Sequence, residues 1–158
     1  MQEYPNFLTS KECSRLTSLK HVWTPSKKMI CKNRVLFQPN VRKAKCSLSD
    51  LRYEYVDWKL NLHMFIQYGM GTEQTMSLEK IDSCDRDQLF IGNMEWYAMI
   101  FLNDDFEDGS LYFPGRDMKI EPEAGKLVCW QNGKSTMYSD ISVLNGTKLI
   151  AMKGYNKL

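Results

Sequence analysis

Histidine, the side chain that most metal-binding and general-base mechanisms use, occurs only twice in this sequence, as His21 and His63. Neither begins a His-x-Asp or His-x-Glu pair, because the residues that follow are Val22-Trp23 and Met64-Phe65. The pattern favours one histidine at a helix end and one on a strand surface rather than two metal ligands. With only two histidines, the sequence disfavours mechanisms that need several imidazoles as metal ligands or general bases.

Cysteines and clustered carboxylates are the other candidates for metal chemistry. The five cysteines stand far apart without a Cys-x-x-Cys pair, which is typical of buried free thiols in a reducing compartment. They are Cys13, Cys31, Cys46, Cys84 and Cys129. The segment 82–87 carries three aspartates but lacks the ligand spacing and late glutamate of an EF-hand, so it predicts a solvated loop.

Charge is distributed unevenly along the chain. The 21 basic and 19 acidic residues give a net charge of +2, but residues 1–49 carry +8 and residues 50–158 carry −6. The basic side chains of residues 1–49, with Trp23 and Phe37 to stack on bases, would suit binding to a nucleic-acid backbone. They would equally suit an acidic protein partner, which is the favoured interpretation. The candidate contact residues are Lys27, Lys28, Arg42 and Lys43.

Length and composition predict one domain. The chain has 158 residues, of which 43% are hydrophobic, enough for a single packed core. It begins without the basic and apolar regions of a signal peptide, and no run approaches the roughly 18 apolar residues of a membrane span. We expect an intracellular (cytoplasmic) or virion protein, not secreted and without a membrane partner.

The first third of the chain predicts helices. Thr9-Ser-Lys-Glu12 has the spacing of a capping box, so a short helix should begin there. A second helix should follow Ser47 or Ser49, since apolar residues then recur every three or four positions. Those residues are Leu48, Leu51, Tyr55, Trp58 and Leu62. The segment 23–45 is expected to be extended or loop, with one strand.

The remainder predicts strands. Residues 62–68 alternate as a half-buried strand would, and residues 95–103 are apolar on both faces, which favours a central strand. Shorter strands are expected at 111–113, 118–121, 126–130, 137–143 and 149–155. The predicted fold is mainly β with N-terminal helices (α+β): a helical and basic part over 1–60 and a β-sandwich or barrel over 61–158.

Several short motifs, taken in order, resemble those of the prolyl 4-hydroxylase type of iron(II) and 2-oxoglutarate-dependent oxygenase. They are Asn6-Phe-Leu-Thr-Ser-Lys-Glu-Cys13, Tyr68-Gly-Met-Gly71, Phe101-Leu-Asn-Asp104, Asp108-Gly-Ser-Leu-Tyr-Phe-Pro114 and Val143-Leu-Asn-Gly-Thr-Lys148. The resemblance runs nearly from end to end. It implies a double-stranded β-helix, or jelly-roll, core.

The same resemblance implies where an iron site would lie. The family binds iron through a His-x-Asp pair and a late histidine. Its spacing places these ligands on Ser77, Glu79 and Tyr138, or, after a slip in the loop, replaces the pair by Lys80 and Asp82. None of these residues is a histidine, so the metal-binding triad is lost in this alignment.

The 2-oxoglutarate site matches the family better than the metal site does. Lys148 stands ten residues after Tyr138, where the family places the basic residue that binds the distal carboxylate of 2-oxoglutarate. Tyr68 is a second candidate for that site. Phe101, in contrast, lacks the hydroxyl that often assists there.

Three functions follow as hypotheses. The leading one is a catalytically degenerate prolyl 4-hydroxylase-like domain without a cofactor, serving as a protein-binding or structural module, for instance in a virion. The alternative is an active oxygenase that uses Fe(II) and 2-oxoglutarate with unusual ligands, Glu79 or Asp82 among them. The third is a nucleic-acid-binding domain that uses the basic segment.

Overall fold

The computed structural model describes residues 1–18, 29–31, 34–37, 48–74, 76–81, 89–90, 92–140 and 143–158. The helices are α1 (Ser10–Thr17) and α2 (Leu48–Tyr68), with 3-10 turns at Pro114–Arg116 and Lys134–Thr136. The strands are β1 (Gln2–Tyr4), β2 (Met29–Cys31), β3 (Arg34–Phe37), β4 (Met70–Gly71), β5 (Ser77–Ile81), β6 (Leu89–Phe90), β7 (Trp96–Phe101), β8 (Glu107–Asp108), β9 (Leu111–Phe113), β10 (Met118–Ile120), β11 (Leu127–Gln131), β12 (Tyr138–Asp140), β13 (Val143–Asn145) and β14 (Lys148–Lys157).

Two antiparallel sheets form the body of the molecule. Within the described residues the main sheet runs β1-β11-β7-β14-β5-β3-β2, with β4 paired to the far end of β14. The second sheet runs β10-β9-β12-β6, and β8 pairs with β13. Successive strands alternate between the sheets along much of the chain, which is the arrangement of a jelly roll. The mainly β fold that the sequence predicts is therefore confirmed.

Strand β7 is central, as predicted, with β11 on one side and β14 on the other. Its side chains alternate between two separate cores because successive residues of a strand point to opposite faces. Ala98 and Ile100 face the helices, whereas Tyr97, Met99 and Phe101 face the second sheet. The main sheet is thus covered on both sides.

We call the two cores the helix-side core and the barrel core. The helix-side core consists of Leu8, Cys13, Leu16, Tyr53, Val56, Leu60, Met64, Met70, Met76, Leu78, Ala98, Ile100, Leu102, Leu127, Cys129, Ala151 and Tyr155. The barrel core, between the two sheets, consists of Ile81, Met94, Tyr97, Met99, Phe101, Leu111, Phe113, Ile120, Val128, Trp130, Tyr138, Val143, Ile150 and Met152.

Helix α1 begins with the predicted capping box. The Thr9 hydroxyl accepts the Glu12 amide at 3.1 Å, and the Glu12 carboxylate accepts the Thr9 amide at 3.0 Å. Just before it, the Leu8 amide donates to the Gly125 carbonyl at 3.0 Å. A Cβ on Gly125 would lie 2.1 Å from the Leu8 carbonyl oxygen, so this close approach requires glycine.

Helix α2 is longer than predicted. It continues to Tyr68, so the strand predicted over 62–68 is wrong, and the division of the chain at residue 60 falls inside this helix. The helix contains neither glycine nor proline and ends at Gly69, whose positive φ of 66° allows its amide to bond the Phe65 carbonyl at 2.9 Å. The apolar alternation over 62–68 did not produce a strand, because these residues continue a helix that no glycine or proline interrupts.

The buried face of α2 also differs from the predicted one. Tyr53, Val56, Leu60 and Met64 pack in the helix-side core, whereas Tyr55, Trp58 and Leu62 are exposed. The side chains of Leu48 and Leu51 lie outside the described residues. Because α2 is apolar on both faces, spacing alone did not distinguish them.

Polar contacts orient α2 on the sheet. Lys153 of β14 donates to Asp57 at 2.6 Å, and the Tyr155 hydroxyl donates to Asn61 at 2.7 Å. On the same side, the Tyr53 hydroxyl donates to the Met76 carbonyl at 2.5 Å. Turning the exposed face inward would break these bonds and leave the buried Lys153 ammonium without its carboxylate.

Smaller differences concern short strands. Two strands, β2 and β3, form within 23–45 where one was expected, and residues 137–143 divide between β12 and β13. Cys13 and Cys129 are buried free thiols, as predicted. Neither described helix is both long and apolar enough to cross a membrane.

Replacing Leu60 tests the assignment of the buried face. Leu60 is fully buried, so Leu60→Ala should lower the free energy of unfolding by about 2–5 kcal/mol through lost burial and a new cavity. The matched substitution Leu144→Ala, at an exposed leucine, should change it by less than about 0.5 kcal/mol. Urea unfolding followed by circular dichroism measures both. Equal costs would show that this face of α2 is not the buried one.

Candidate functional site

The space between the two sheets is where the family resemblance places a catalytic centre. In this chain it is packed with aromatic rings. Trp130 lies 5.2 Å from Tyr138 and 5.3 Å from Phe113, measured between ring centroids, both in edge-on arrangements. Tyr97 stacks on the other side of Trp130 at 5.9 Å. These contacts make the centre of the barrel a well-packed apolar core.

Ser77 and Glu79 lie on strand β5, not in the loop that the His-x-Asp pattern implied. Their register partners on β14 are Met152 and Ile150, which belong to the barrel core, so both side chains face the barrel interior. Glu79 is buried. Lys80 points to the opposite face of β5 and is exposed. Asp82, the other slipped candidate, lies outside the described residues.

Tyr138, which occupies the position of the late histidine, is buried in the barrel core. Its hydroxyl lies 3.6 Å from the Met152 sulfur, and Met152 is the register partner of Ser77. The structure therefore brings Ser77 and Tyr138 to the same part of β14. On its other side Tyr138 pairs with Phe90 of β6, which follows the acidic segment 82–87 along the chain.

Lys148 is fully buried at the start of β14. Its ammonium donates to the Gly109 carbonyl at 2.6 Å and lies 5.4 Å from the centre of the Phe101 ring. Its register partner is Ile81, two residues beyond Glu79 on the same face. Glu79 and Lys148 thus face the same interior on neighbouring strands, which places opposite charges in one low-dielectric space.

Tyr68 lies on the other side of the main sheet from Lys148. Its hydroxyl is 2.5 Å from that of Tyr4, and its ring stacks on Trp96 at 4.2 Å. Burial raises the pKa of the Tyr68 phenol. The two residues proposed for a 2-oxoglutarate site are therefore not brought together, and Tyr68 packs against the helix-side core.

His63 lies on α2, so its predicted position on a strand surface is wrong. Its ring meets Tyr4 edge-on at 4.5 Å and Phe7 at 5.3 Å. Within the described residues its buried Nε2 has no hydrogen-bond partner, and burial lowers the pKa of the imidazole. This histidine is on the helix side of the main sheet, away from the barrel core.

Two features of the barrel core were not predicted. The Trp130 Nε1 is buried and has no hydrogen-bond partner among the described residues. The other is the contact of Met152 with the Tyr138 hydroxyl. The sequence predicted that Met152 lies on a strand over 149–155 but not that it makes this contact. His21, Lys27, Lys28, Arg42 and Lys43 lie outside the described residues.

Solved structures with the same fold are prolyl hydroxylases and related oxygenases. A viral collagen prolyl hydroxylase from Paramecium bursaria Chlorella virus 1 matches with a TM-score of 0.68 and 15% identity, over 99% of this chain and 90% of that one. A Trichoplax adhaerens prolyl hydroxylase, in complex with a hypoxia-inducible-factor peptide, matches with a TM-score of 0.78 and 11% identity, over 99% and 83%.

A third match extends the likeness beyond prolyl hydroxylases. An oxidoreductase of the 2OG-Fe(II) oxygenase family from Burkholderia pseudomallei has a TM-score of 0.72 and 11% identity, over 98% of this chain and 84% of that one. No family model matches the sequence, and no curated protein matches it. At these identities the likeness establishes the fold, which is that of the 2-oxoglutarate oxygenase jelly roll.

The positions that the sequence spacing assigns to the iron ligands carry no imidazole. They are occupied by a hydroxyl, a carboxylate and a phenol, whereas the family binds Fe(II) through two imidazoles and a carboxylate. Among the described residues, no three His, Cys, Asp or Glu side chains are grouped closely enough to hold a metal ion. The Tyr138 hydroxyl, moreover, contacts a thioether within the packed core.

Replacing Lys148 tests whether it supports the fold. Lys148→Met retains the apolar stem but leaves the Gly109 carbonyl without its ammonium donor. We expect the free energy of unfolding to fall by about 1–3 kcal/mol. The exposed Lys80→Met should change it by less than about 0.5 kcal/mol. Urea unfolding compares the two, and a stabilised Lys148→Met protein would show that the ammonium is maintained at a cost to folding.

The pH dependence of stability tests the environment of His63. Its pKa is lowered by folding, so below about pH 6.5 the unfolded chain binds a proton that the folded chain does not. Stability should therefore fall as the pH decreases from about 6.5. His63→Phe should remove this part of the dependence, with His21 present in both proteins. Parallel curves of unfolding free energy between pH 7.5 and 5.5 would contradict the assignment.

Proposed function

We propose that this chain is a catalytically degenerate prolyl 4-hydroxylase-like domain that acts as a protein-binding or structural module, for instance as part of a virion. Two kinds of evidence support the proposal. The fold is shared with prolyl hydroxylases, and the residues aligned with the metal ligands lack imidazole. Fold and function separate when the side chains at the site change.

The observation that carries the proposal is the environment of Tyr138. A metal ligand at this position must direct a lone pair into an open site next to bound cosubstrate and oxygen. Tyr138 instead packs edge-on against Trp130, and its hydroxyl contacts Met152. Among the described residues, the rings of Trp130 and Phe113 and the Met152 thioether lie next to the Tyr138 side chain.

The cosubstrate side of the barrel supports the same conclusion. The Lys148 ammonium donates one hydrogen bond to the Gly109 carbonyl at 2.6 Å, which ties it to the backbone of its own chain. Phe101, beneath the ammonium, supplies an aromatic face but no hydroxyl. In this proposal Lys148 stabilises the connection between β8 and β9, and no cofactor is required.

The alternative function is an active oxygenase with unusual metal ligands. It is favoured by the position of Glu79 and Lys148, which are buried on one interior face of neighbouring strands, a carboxylate and an ammonium of the kinds that bind a metal ion and a carboxylate ligand. In this alternative Glu79 or Asp82 would supply the carboxylate ligand and Lys148 would hold 2-oxoglutarate. Its requirements can be measured directly.

Anaerobic titration with Fe(II) and 2-oxoglutarate distinguishes the two functions. Because the aligned positions carry no imidazole, we expect none of the visible charge-transfer absorption of an iron and 2-oxoglutarate complex. An oxygenase of known activity, titrated in parallel, is the positive control. A band in the wild-type protein would refute the proposal. Its loss in Glu79→Ala or in Asp82→Ala would then identify the carboxylate ligand.

A thermal melt with 2-oxoglutarate alone separates an inert barrel from one that retains ligand binding. The proposal predicts no shift in the melting temperature, since a ligand must bind the folded state to stabilise it. A shift that disappears in Lys148→Met and persists in Lys80→Met would instead indicate a ligand-binding module. Cooperative unfolding of each protein confirms that it is folded.

A further inference from the structure

The outward face of α2 carries a stripe of large apolar side chains. The stripe consists of Tyr55, Trp58, Leu62, Phe65 and Ile66, whose exposed fractions are 46%, 58%, 42%, 54% and 64%. The spacings of three and four residues place them along one side of the helix, opposite the residues that pack in the helix-side core. We call this set the outer stripe.

The outer stripe is comparable in area with the largest apolar patch of a typical monomer. Large side chains have about 150–250 Å² of surface each, so five that are half exposed present roughly 500 Å². Patches of this size are often functional. A helix that is apolar all round is, moreover, normally buried on every side. Helix α2 packs against the main sheet on only one side.

The stripe itself restricts the kind of partner. None of its five residues is charged, and it extends from residue 55 to residue 66, or about 16 Å along the helix axis. A complementary surface must therefore be apolar over the same length. A second copy of the outer stripe meets both conditions.

The spacing of the stripe is self-complementary. If two α2 helices cross antiparallel about a two-fold axis at the level of Leu60, each residue faces the one equally far beyond that level. Tyr55 then meets Phe65 of the second copy, and Trp58 meets Leu62, while Ile66 at the end of the stripe lies at the level of Glu54. Such reciprocal pairing is what a two-fold interface requires.

Charge at the helix ends favours the antiparallel direction. The same axis brings the exposed Arg52 next to the level of Tyr68 in the second copy, in the last turn of α2. That turn contains no basic residue, so its carbonyl groups lack a cation of their own. Arg52 lines a groove between α1 and α2 together with Lys11, Arg15 and Glu12, so three basic side chains outnumber one carboxylate at this end of the stripe.

We infer that the chain forms a two-fold dimer through antiparallel packing of the outer stripes. Two stripes would bury roughly 1,000 Å², and the flanking side chains would bring the total into the range of specific interfaces. This inference goes beyond the proposed function and does not depend on the loss of iron chemistry, because the stripe lies on the side of the main sheet away from the barrel core.

Sedimentation velocity between 1 and 100 μM tests the dimer. The wild-type protein should sediment with twice the 18.5 kDa mass of the chain at the upper end of this range. Trp58→Glu and Ile66→Glu should shift it to the monomer without changing its circular dichroism. The control Leu144→Glu, at a leucine on β13 that is as exposed as Ile66, should leave the dimer intact. A monomeric wild type, or a dimer insensitive to both stripe substitutions, would overturn the inference.

Cysteine cross-linking tests the antiparallel register. In a Tyr55→Cys/Phe65→Cys protein, each new thiol faces its counterpart in the second copy, so a short bismaleimide should join the chains. The two single variants should not cross-link, since identical positions lie about 15 Å apart along the axis. The unmodified protein controls for the native cysteines. Cross-linking of both single variants would indicate parallel packing and overturn this arrangement.

Discussion

The pairing of β7 with β14 supports every other part of this structure. It joins the two central strands of the main sheet over six register pairs, from Ile150 with Phe101 to Tyr155 with Trp96. Because successive side chains leave the sheet on opposite faces, this pair supplies both the helix-side core and the barrel core. The two cores are separated by one layer of backbone, so the jelly roll and the helical cover depend on the same register.

On the helix side, a few polar contacts decide between two apolar alternatives. Both faces of α2 would bury large side chains, and the hydrophobic effect is non-directional. The bonds from Lys153 to Asp57 and from Tyr155 to Asn61 join β14 to one face only. Since a buried ammonium without its carboxylate is costly, they determine which apolar face remains outside. The outer stripe is the consequence of that choice.

On the barrel side, the residues that the sequence spacing assigned to the metal positions face the space between the two sheets. Ser77 and Glu79 point there from β5, and Tyr138 of β12 contacts Met152 of β14. The Trp130 ring lies edge-on to Tyr138 and to Phe113. Aromatic side chains thus share the barrel interior with the fully buried Lys148 at the start of β14.

The sequence by itself determined the local and repetitive features of this protein. The capping box of α1, the central strand β7 and several later strands follow from hydrogen-bonding side chains and from period-two burial, which act over a few residues. The resemblance to prolyl 4-hydroxylases, drawn from short motifs, also anticipated the jelly roll. The lack of imidazole at the aligned metal positions is a property of the sequence alone.

Only the tertiary structure decided the rest. The buried face of α2 depends on residues of β14 that lie 96 and 94 positions away along the chain. Tyr68 and Lys148, both candidates from sequence spacing, fall on opposite sides of the main sheet because Tyr68 ends the helix that covers one face, whereas Lys148 points from β14 towards the other. Contacts between segments that are distant along the chain cannot be predicted from residue spacing. These contacts determine which side chains fill the barrel interior and which form the exposed outer stripe.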